Sequence, residues 1–129
     1  MLTGSTPKKV DSVKYTNIFS RMWNASSYSI QGLTYALRHE QAFQYEAAVF
    51  VFMCVVIAVF GLPMYLSGAW LIVMCFELVN SAVEKAFDLI TQEYSPLVKA
   101  GKDMLSASIF LMICVNIILW CVAIISYLT

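Results

Sequence analysis

Charge is scarce in this sequence. Only 12% of its 129 residues are charged, whereas 60% are hydrophobic, and the formal net charge is zero. Because a soluble domain carries about one-quarter charged residues, this composition excludes an ordinary soluble domain and indicates a membrane protein. The zero net charge also removes any bulk electrostatic argument for binding nucleic acid.

Charge is also absent from two long stretches. No Asp, Glu, Lys or Arg lies in 47–76 or in 104–129, so all sixteen lie in 8–46 and 77–103. Where the charges stand is therefore more informative than their sum.

Two kinds of motif are missing as well. The sequence has no G-x-x-x-x-G-K-[ST] loop and no kinase glycine-rich loop, so any nucleotide site would be unorthodox. The four cysteines all sit in apolar runs and form no C-x-x-C pair. We expect them to be buried small hydrophobic residues, without a disulfide or a bound metal.

Three long apolar segments predict three membrane-spanning helices. A bilayer requires roughly 20 residues of helix. The predicted spans are about 42–62, 69–90 and 96–128. The uncharged stretch GLPMYLSG, 61–68, has the residues of a short hairpin loop. Ser95-Pro96 has the pattern of an N-cap followed by proline at the first helical position.

The segment before the first span predicts a surface helix. Residues 1–11 are polar and contain Gly and Pro, so we expect a flexible tail. From about 12 to 40, apolar residues recur at intervals of three and four, the pattern of an amphipathic helix. Such a helix lies along the membrane face, although an ordinary packed helix is the alternative. The sequence NASS, 24–27, is expected to break it. The rest, 12–129, is predicted to form a single membrane domain.

The basic residues predict the orientation. Five Lys and Arg precede the first span, and three more lie around the second connection, at 90–103. The loop at 61–68 and the C-terminal end have none. Since cytoplasmic loops collect basic residues, we expect the N-terminus and the 90–103 connection to be cytoplasmic.

A polar stripe runs along the second predicted span. At 100° per residue, Glu84 and Asp88 each fall about 20° from Glu77 around the helix. Asn80 and Ser81 flank that line. Ionisable residues in a span almost always face a bundle interior or a wet cavity, and they mark function. A helix that simply runs into water would explain Asp88, but it fits the deeper Glu77 poorly.

More charges are expected at the same membrane level. If the third helix includes the preceding connection, Lys99, Lys102 and Asp103 share one face and can meet the second span. Alternatively, Asp103 caps the third span and the lysines extend to the surface. Glu40 and Glu46 stand just before the first span.

This set of side chains favours phosphoryl transfer. Clustered carboxylates suit Mg²⁺ shared with substrate phosphates, and a carboxylate can also act as a general base. Lysines nearby can hold phosphate charge. Two alternatives of other classes stay open: a proton-coupled carrier that uses Glu77 and Glu84 as relays, and a structural membrane subunit.

At these residues the sequence resembles a known family. ELVNSAVEKAFD, 77–88, is similar to the E-x-x-N-[ST]-A-[IV]-E-x-x-x-D signature of the bacterial integral-membrane diacylglycerol kinases. EYSPLVKAGKDMLSA, 93–107, resembles the segment that follows it there. SYSIQGLTYALRHEQAFQYE, 27–46, resembles the amphipathic segment ahead of the first span. The likeness covers about 18–128, nearly the whole chain.

The resemblance implies an all-α membrane protein that forms a homotrimeric bundle, with active sites between neighbouring subunits. It implies transfer of the γ-phosphate of ATP, with Mg²⁺, to the primary hydroxyl of diacylglycerol, giving phosphatidic acid. Undecaprenol kinases of the same superfamily are the alternative. The implied location is the bacterial inner membrane, with a cytoplasmic active site and a periplasmic C-terminus.

Residue roles follow from the resemblance by position. It implies that Glu77 is the general base on the lipid hydroxyl, that Asn80 orients the carboxylates, and that Glu40 and Glu84 bind Mg²⁺–ATP. The other implied nucleotide contacts are Arg21, Tyr28, Glu93, Tyr94, Ser95, Lys102 and Asp103. The implied lipid-side residues are Arg21, Phe43, Glu46, Glu77 and Ser106.

The departures from the family pattern leave the carboxylates untouched. Ser95 stands where the family often has His, so a backbone contact survives there more easily than a side-chain contact. Gly101 replaces an Ala. For Asp88, a structural pairing with Lys85 or Lys99 and a catalytic role are both open.

Overall fold

The computed structural model describes residues 17–129, and this part of the chain contains four α-helices and no β-strand. The helices are α1 (Ile18–His39), α2 (Gln41–Phe60), α3 (Tyr65–Ile90) and α4 (Pro96–Leu128). The predicted all-α class is confirmed. The tail expected at 1–11, and the start of the surface helix, lie outside the described residues.

The chain divides into two compact units, and 17–33 are the described residues of the first. The helix runs without interruption through 24–27, so the expected break there is wrong. Local bonding explains why serines are tolerated, since the Ser29 hydroxyl donates to the carbonyl of Ala25 at 2.9 Å. Large apolar side chains are exposed along this segment, among them Ile18, Phe19, Met22, Trp23 and Ile30.

The second unit, 34–129, contains three helices long and apolar enough to cross a membrane. α2, α3 and α4 have 20, 26 and 33 residues and mean hydropathies of 2.1, 1.6 and 2.7. The three predicted spans are thus confirmed. At 1.5 Å per residue α4 is about 50 Å long, so it extends well beyond a hydrocarbon core of about 30 Å.

The loop between α2 and α3 is shorter than the sequence predicted. α2 ends at Phe60 and is capped by Gly61, which adopts a left-handed conformation (φ 66°) and donates its N–H to the carbonyl of Ile57. α3 then begins at Tyr65, earlier than expected. Bonds from the Ser67 hydroxyl and N–H to the Met64 carbonyl, at 2.8 Å and 3.2 Å, close its first turn. These local bonds stabilise a helical first turn in residues that the sequence analysis assigned to the loop.

α3 is the central helix of this unit, because it contacts both α2 and α4. Its buried side chains recur at helical intervals along one face, and they are Leu66, Val73, Glu77, Asn80 and Ser81. Leu66 and Val73 are fully buried. One core face therefore changes along its length from apolar to polar, and the predicted stripe is the continuation of the hydrophobic core.

Two side-chain bonds connect α3 to its neighbours. Asn116 of α4 donates to the Ala69 carbonyl at 3.2 Å and to its own helix at Met112, at 3.0 Å. Trp70 donates from its indole nitrogen to the Glu46 carbonyl of α2 at 2.9 Å. Since hydrocarbon offers no water, such bonds between spans contribute about 1 kcal/mol each.

The structure gives a steric reason for glycine at position 101, where the family pattern has alanine. A Cβ atom at this position would lie 2.9 Å from Cζ of Phe87, a distance that real Cβ contacts do not reach. The missing side chain therefore lets the Phe87 ring of α3 lie directly against α4. Gly101 and the Phe87 ring are therefore sterically complementary where α3 and α4 cross.

We expect Gly101→Ala to destabilise the protein by about 1 kcal/mol or more, because overpacking outweighs the gain in helix propensity. In a Phe87→Val background the same substitution is expected to stabilise by up to about 1 kcal/mol, the propensity gain alone. Thermal unfolding of the four proteins in one detergent measures both effects. An equal effect in the two backgrounds would contradict the contact.

Candidate functional site

The deepest part of the site is Glu77, which is only 6% exposed. Asn80, one turn further along α3 and also buried, lies close enough to donate a hydrogen bond to the Glu77 carboxylate. The Asn80 oxygen, Oδ1, is buried and has no partner among the described residues. A buried carboxylate is costly in a hydrophobic protein, and ionisable residues inside membrane-spanning helices mark functional sites.

Three more carboxylates gather around Glu77. Glu84 and Glu40 lie within electrostatic range of it, and so does Glu46 of α2. One oxygen of Glu46, Oε2, is buried without a hydrogen-bond partner among the described residues. Like charges this close repel one another, so the cluster is suited to binding a cation.

Glu40 stands at the corner between α1 and α2. It is the single residue that separates the two helices, and its backbone is extended (φ −105°, ψ 105°). Its side chain makes no capping bond to α2, and it forms an ion pair with Lys85 of α3 instead. The Lys85 ammonium also lies 5.6 Å from the centre of the Tyr35 ring. Sequence reasoning missed this ion pair, because no local pattern connects two residues 45 positions apart.

The charges of α4 meet those of α3, as one of the two sequence interpretations proposed. Lys102 forms an ion pair with Asp88 at 2.8 Å. Of the two alternatives left open for Asp88, the structure shows an ion pair, but its partner is neither Lys85 nor Lys99. The alternative of a catalytic role is not tested. Asp103 lies inside α4, where it pairs with Lys99 at 2.6 Å, so it does not cap the helix.

The loop between α3 and α4 and the adjoining ends of both helices form an open cleft of about 800 Å³. Its lining includes five of the predicted nucleotide contacts: Glu93, Tyr94, Ser95, Lys102 and Asp103. The other lining residues are Asp88, Thr91, Gln92, Val98 and Lys99. The cleft combines the aromatic side chain of Tyr94 with two lysines, each paired with an aspartate, and with the carboxylate of Glu93.

Glu84 connects this cleft to the deeper carboxylates. It lies within electrostatic range of Lys102, of Lys85 and of Glu77. Within residues 17–129, however, it forms no ion pair of its own. Glu84 is therefore an available oxygen ligand between two ammonium groups.

The remaining predicted residues are more scattered. Arg21 and Tyr28 are exposed and lie in the separate unit 17–33, so their predicted nucleotide contacts stay predictions. Phe43 is buried on α2, whereas Ser106 is exposed on α4. Their lipid-side roles also stay predictions.

The carboxylates fit a metal ion that is shared with a second ligand. In the described part of the chain, no three His, Cys, Asp or Glu side chains are arranged to hold a metal by themselves. Mg²⁺ needs no such cage, because it commonly takes one or two carboxylates and completes its shell with water and phosphate oxygens. Glu40 and Glu84 are two carboxylates of this kind, and their role as metal ligands stays a prediction.

Known proteins resemble this chain over most of its length. The family described as prokaryotic diacylglycerol kinase matches residues 27–124, which include every carboxylate of the cluster. The chain is 38% identical over 112 residues to the diacylglycerol kinase of Escherichia coli strain K12, covering 83% of this chain and 91% of that protein. The Helicobacter pylori diacylglycerol kinase is 38% identical over 95 residues, which are 70% of this chain and 73% of that protein. The Haemophilus influenzae diacylglycerol kinase is 34% identical over 109 residues, with coverages of 81% and 92%.

The repulsion within the cluster predicts a stability effect. We expect Glu77→Gln to raise the free energy of unfolding by about 1 kcal/mol, because it removes one of several neighbouring negative charges. Asp88→Asn is the matched control, since it breaks an ion pair and is expected to lower stability slightly. Thermal unfolding in detergent compares the two. A lowered midpoint for Glu77→Gln would show that this carboxylate stabilises the fold.

Proposed function

The chain belongs to the prokaryotic diacylglycerol kinase family, and we propose that the carboxylate cluster around Glu77 carries the lipid kinase reaction of this membrane enzyme. In that reaction the γ-phosphate of ATP is transferred to the primary hydroxyl of diacylglycerol, giving phosphatidic acid. The observation that supports the site most directly is Glu77, a carboxylate buried beside Asn80 on the core face of a helix long and apolar enough to span a membrane.

Glu77 is the proposed general base. It stands seven residues from Glu84, about 10 Å along the helix axis, on the side toward the middle of the span. We therefore assign the lipid hydroxyl to Glu77 and the nucleotide phosphates to the end of α3 that carries Glu84. The Glu77 carboxylate accepts the hydroxyl proton, the hydroxyl oxygen bonds to the γ-phosphorus, and the bond from that phosphorus to the bridging oxygen breaks, which releases ADP. The Asn80 amide holds the accepting carboxylate in place.

Glu40 and Glu84 are the proposed ligands of Mg²⁺. When bound, Mg²⁺ neutralises the phosphate charge that opposes attack by an oxygen nucleophile. Lys102, which faces the cleft, is positioned to bind phosphate oxygens as well. Phosphoryl transfer depends mainly on positioning and charge stabilisation, so this small helical scaffold is sufficient for it.

The cleft beside the cluster is the proposed nucleotide site. Its residues Glu93, Tyr94, Ser95 and Asp103 belong to the loop and to the first turns of α4. We add Arg21 and Tyr28 as nucleotide contacts on the strength of the family likeness alone. Arg21, Phe43, Glu46 and Ser106 are proposed for the lipid side on the same ground.

The proposed location is the inner membrane of a bacterium, with the N-terminus and the active site in the cytoplasm and the C-terminus in the periplasm. The distribution of Lys and Arg supports this orientation. A homotrimer with shared active sites is proposed from the family. The exposed apolar surfaces of α2, α3 and α4 offer ample area for contacts with other subunits and with lipid.

We expect Glu77→Gln to lower turnover by about 10²- to 10⁴-fold, the usual contribution of a general base, while nucleotide binding is largely retained. The measurement is ATP-dependent phosphorylation in detergent micelles, with diacylglycerol and undecaprenol offered in parallel. Binding of a non-hydrolysable ATP analogue serves as the control for site integrity. Full turnover in this variant would remove the base assignment, and phosphorylation of undecaprenol alone would change the substrate.

Glu84→Gln tests the metal role separately. Loss of one of two carboxylate ligands is expected to raise the Mg²⁺ concentration needed for half-maximal activity, or to abolish activity. Titration of Mg²⁺ at fixed ATP measures this. The control is Glu93→Gln, which removes a carboxylate from the cleft lining without touching the cluster. An unchanged Mg²⁺ requirement in Glu84→Gln would count against a ligand role.

A further inference from the structure

Lys85 is the one cation that directly contacts a proposed metal ligand within the described part of the chain. Its ammonium forms an ion pair with Glu40. The Glu40 side chain is only 20% exposed, whereas that of Lys85 is 48% exposed. The lysine therefore reaches from the surface toward a half-buried carboxylate.

The two proposed metal ligands are not equivalent in this structure. Glu40 is engaged by Lys85, whereas Glu84 has no ion pair among the described residues. Because Glu40 makes no capping bond, the ammonium is its strongest partner. A divalent cation that binds Oε1 of Glu40 therefore competes with this ammonium for the same oxygen.

The Lys85 ammonium has other interaction partners besides Glu40. Its ammonium lies 5.6 Å from the centre of the Tyr35 ring, within the range of a cation–π interaction. It is also the sequence neighbour of Glu84 and lies within electrostatic range of it. Release from Glu40 thus leaves the lysine beside an aromatic face and within electrostatic range of Glu84.

We propose that Lys85 acts as an internal competitor of the divalent cation: it occupies Glu40 in the nucleotide-free protein and sets the metal concentration at which the site fills. This inference rests on the proposed role of Glu40 as a metal ligand. Lys85 is a positioning residue in this account, since it acts through Glu40. The competition keeps the carboxylate cluster partly neutralised and ordered until metal and nucleotide are present.

The test measures Mn²⁺ binding to the full chain in detergent without nucleotide. Binding is monitored as the loss of the free Mn²⁺ signal in electron paramagnetic resonance. Lys85→Met keeps most of the side-chain volume and removes the charge. We expect its half-saturating Mn²⁺ concentration to fall by about two- to fivefold, since an exposed ion pair no longer has to be broken. Lys85→Arg restores a competing cation and is expected to return the value to that of the wild type.

Lys99→Met is the matched control. It removes the same charge from the neighbouring α4, where the lysine pairs with Asp103 instead of with a proposed ligand. An equal gain in affinity in Lys99→Met would overturn the inference, because net charge alone would then explain the effect. Weaker or unchanged binding in Lys85→Met would overturn it too, because the lysine would then only hold Glu40 in place.

Glu40→Gln separates this inference from the function on which it rests. Loss of Mn²⁺ binding in this variant is the expected result. If binding is unchanged, the proposed ligand role of Glu40 fails, and the inference about Lys85 fails with it. Thermal unfolding of each variant in the same detergent confirms that the comparisons are between folded proteins.

Discussion

The core face of α3 governs both the stability and the proposed chemistry of this protein. Hydrocarbon contains no water, so a polar side chain on a span must be satisfied inside the protein. α3 meets this constraint by turning Glu77 and Asn80 toward its neighbours, on the face that also buries Leu66 and Val73. The same packing that holds the helices together therefore holds the proposed base in place.

The position of the charges follows from that face. Glu84 and Asp88 continue the stripe toward the end of α3, where α4 brings Lys102 within reach. The corner at Glu40 adds a carboxylate from a second helix. Acidic groups and ammonium groups thus lie along the same end of α3, which suits the proposed reaction between a lipid hydroxyl and a charged nucleotide.

Periodicity made much of this predictable. A stripe that includes Glu77, Asn80 and Glu84 follows from 100° per residue, and the three spans follow from hydropathy. The contacts between helices were harder to predict from the sequence. Asp88 pairs with Lys102 on another helix rather than with Lys85 on its own, and such a choice depends on the crossing of α3 and α4. At that crossing Gly101 lies close to the Phe87 ring, a contact that periodicity does not reveal.

The central claim is that a metal–nucleotide complex binds beside the polar half of this face. Asn80 and Asn116 are matched probes, because both are buried amides in the same helical unit. Asn80 lies at the proposed site, and Asn116 donates to the Ala69 carbonyl, eleven residues away from Asn80 along α3. The direct measurement is nuclear magnetic resonance of protein labelled with ¹⁵N in its asparagine side chains, titrated with Mn²⁺ and a non-hydrolysable ATP analogue. The account predicts strong broadening of the Asn80 amide signal and a much smaller effect on Asn116. Equal broadening of the two, or a sharp Asn80 signal at saturation, would contradict it.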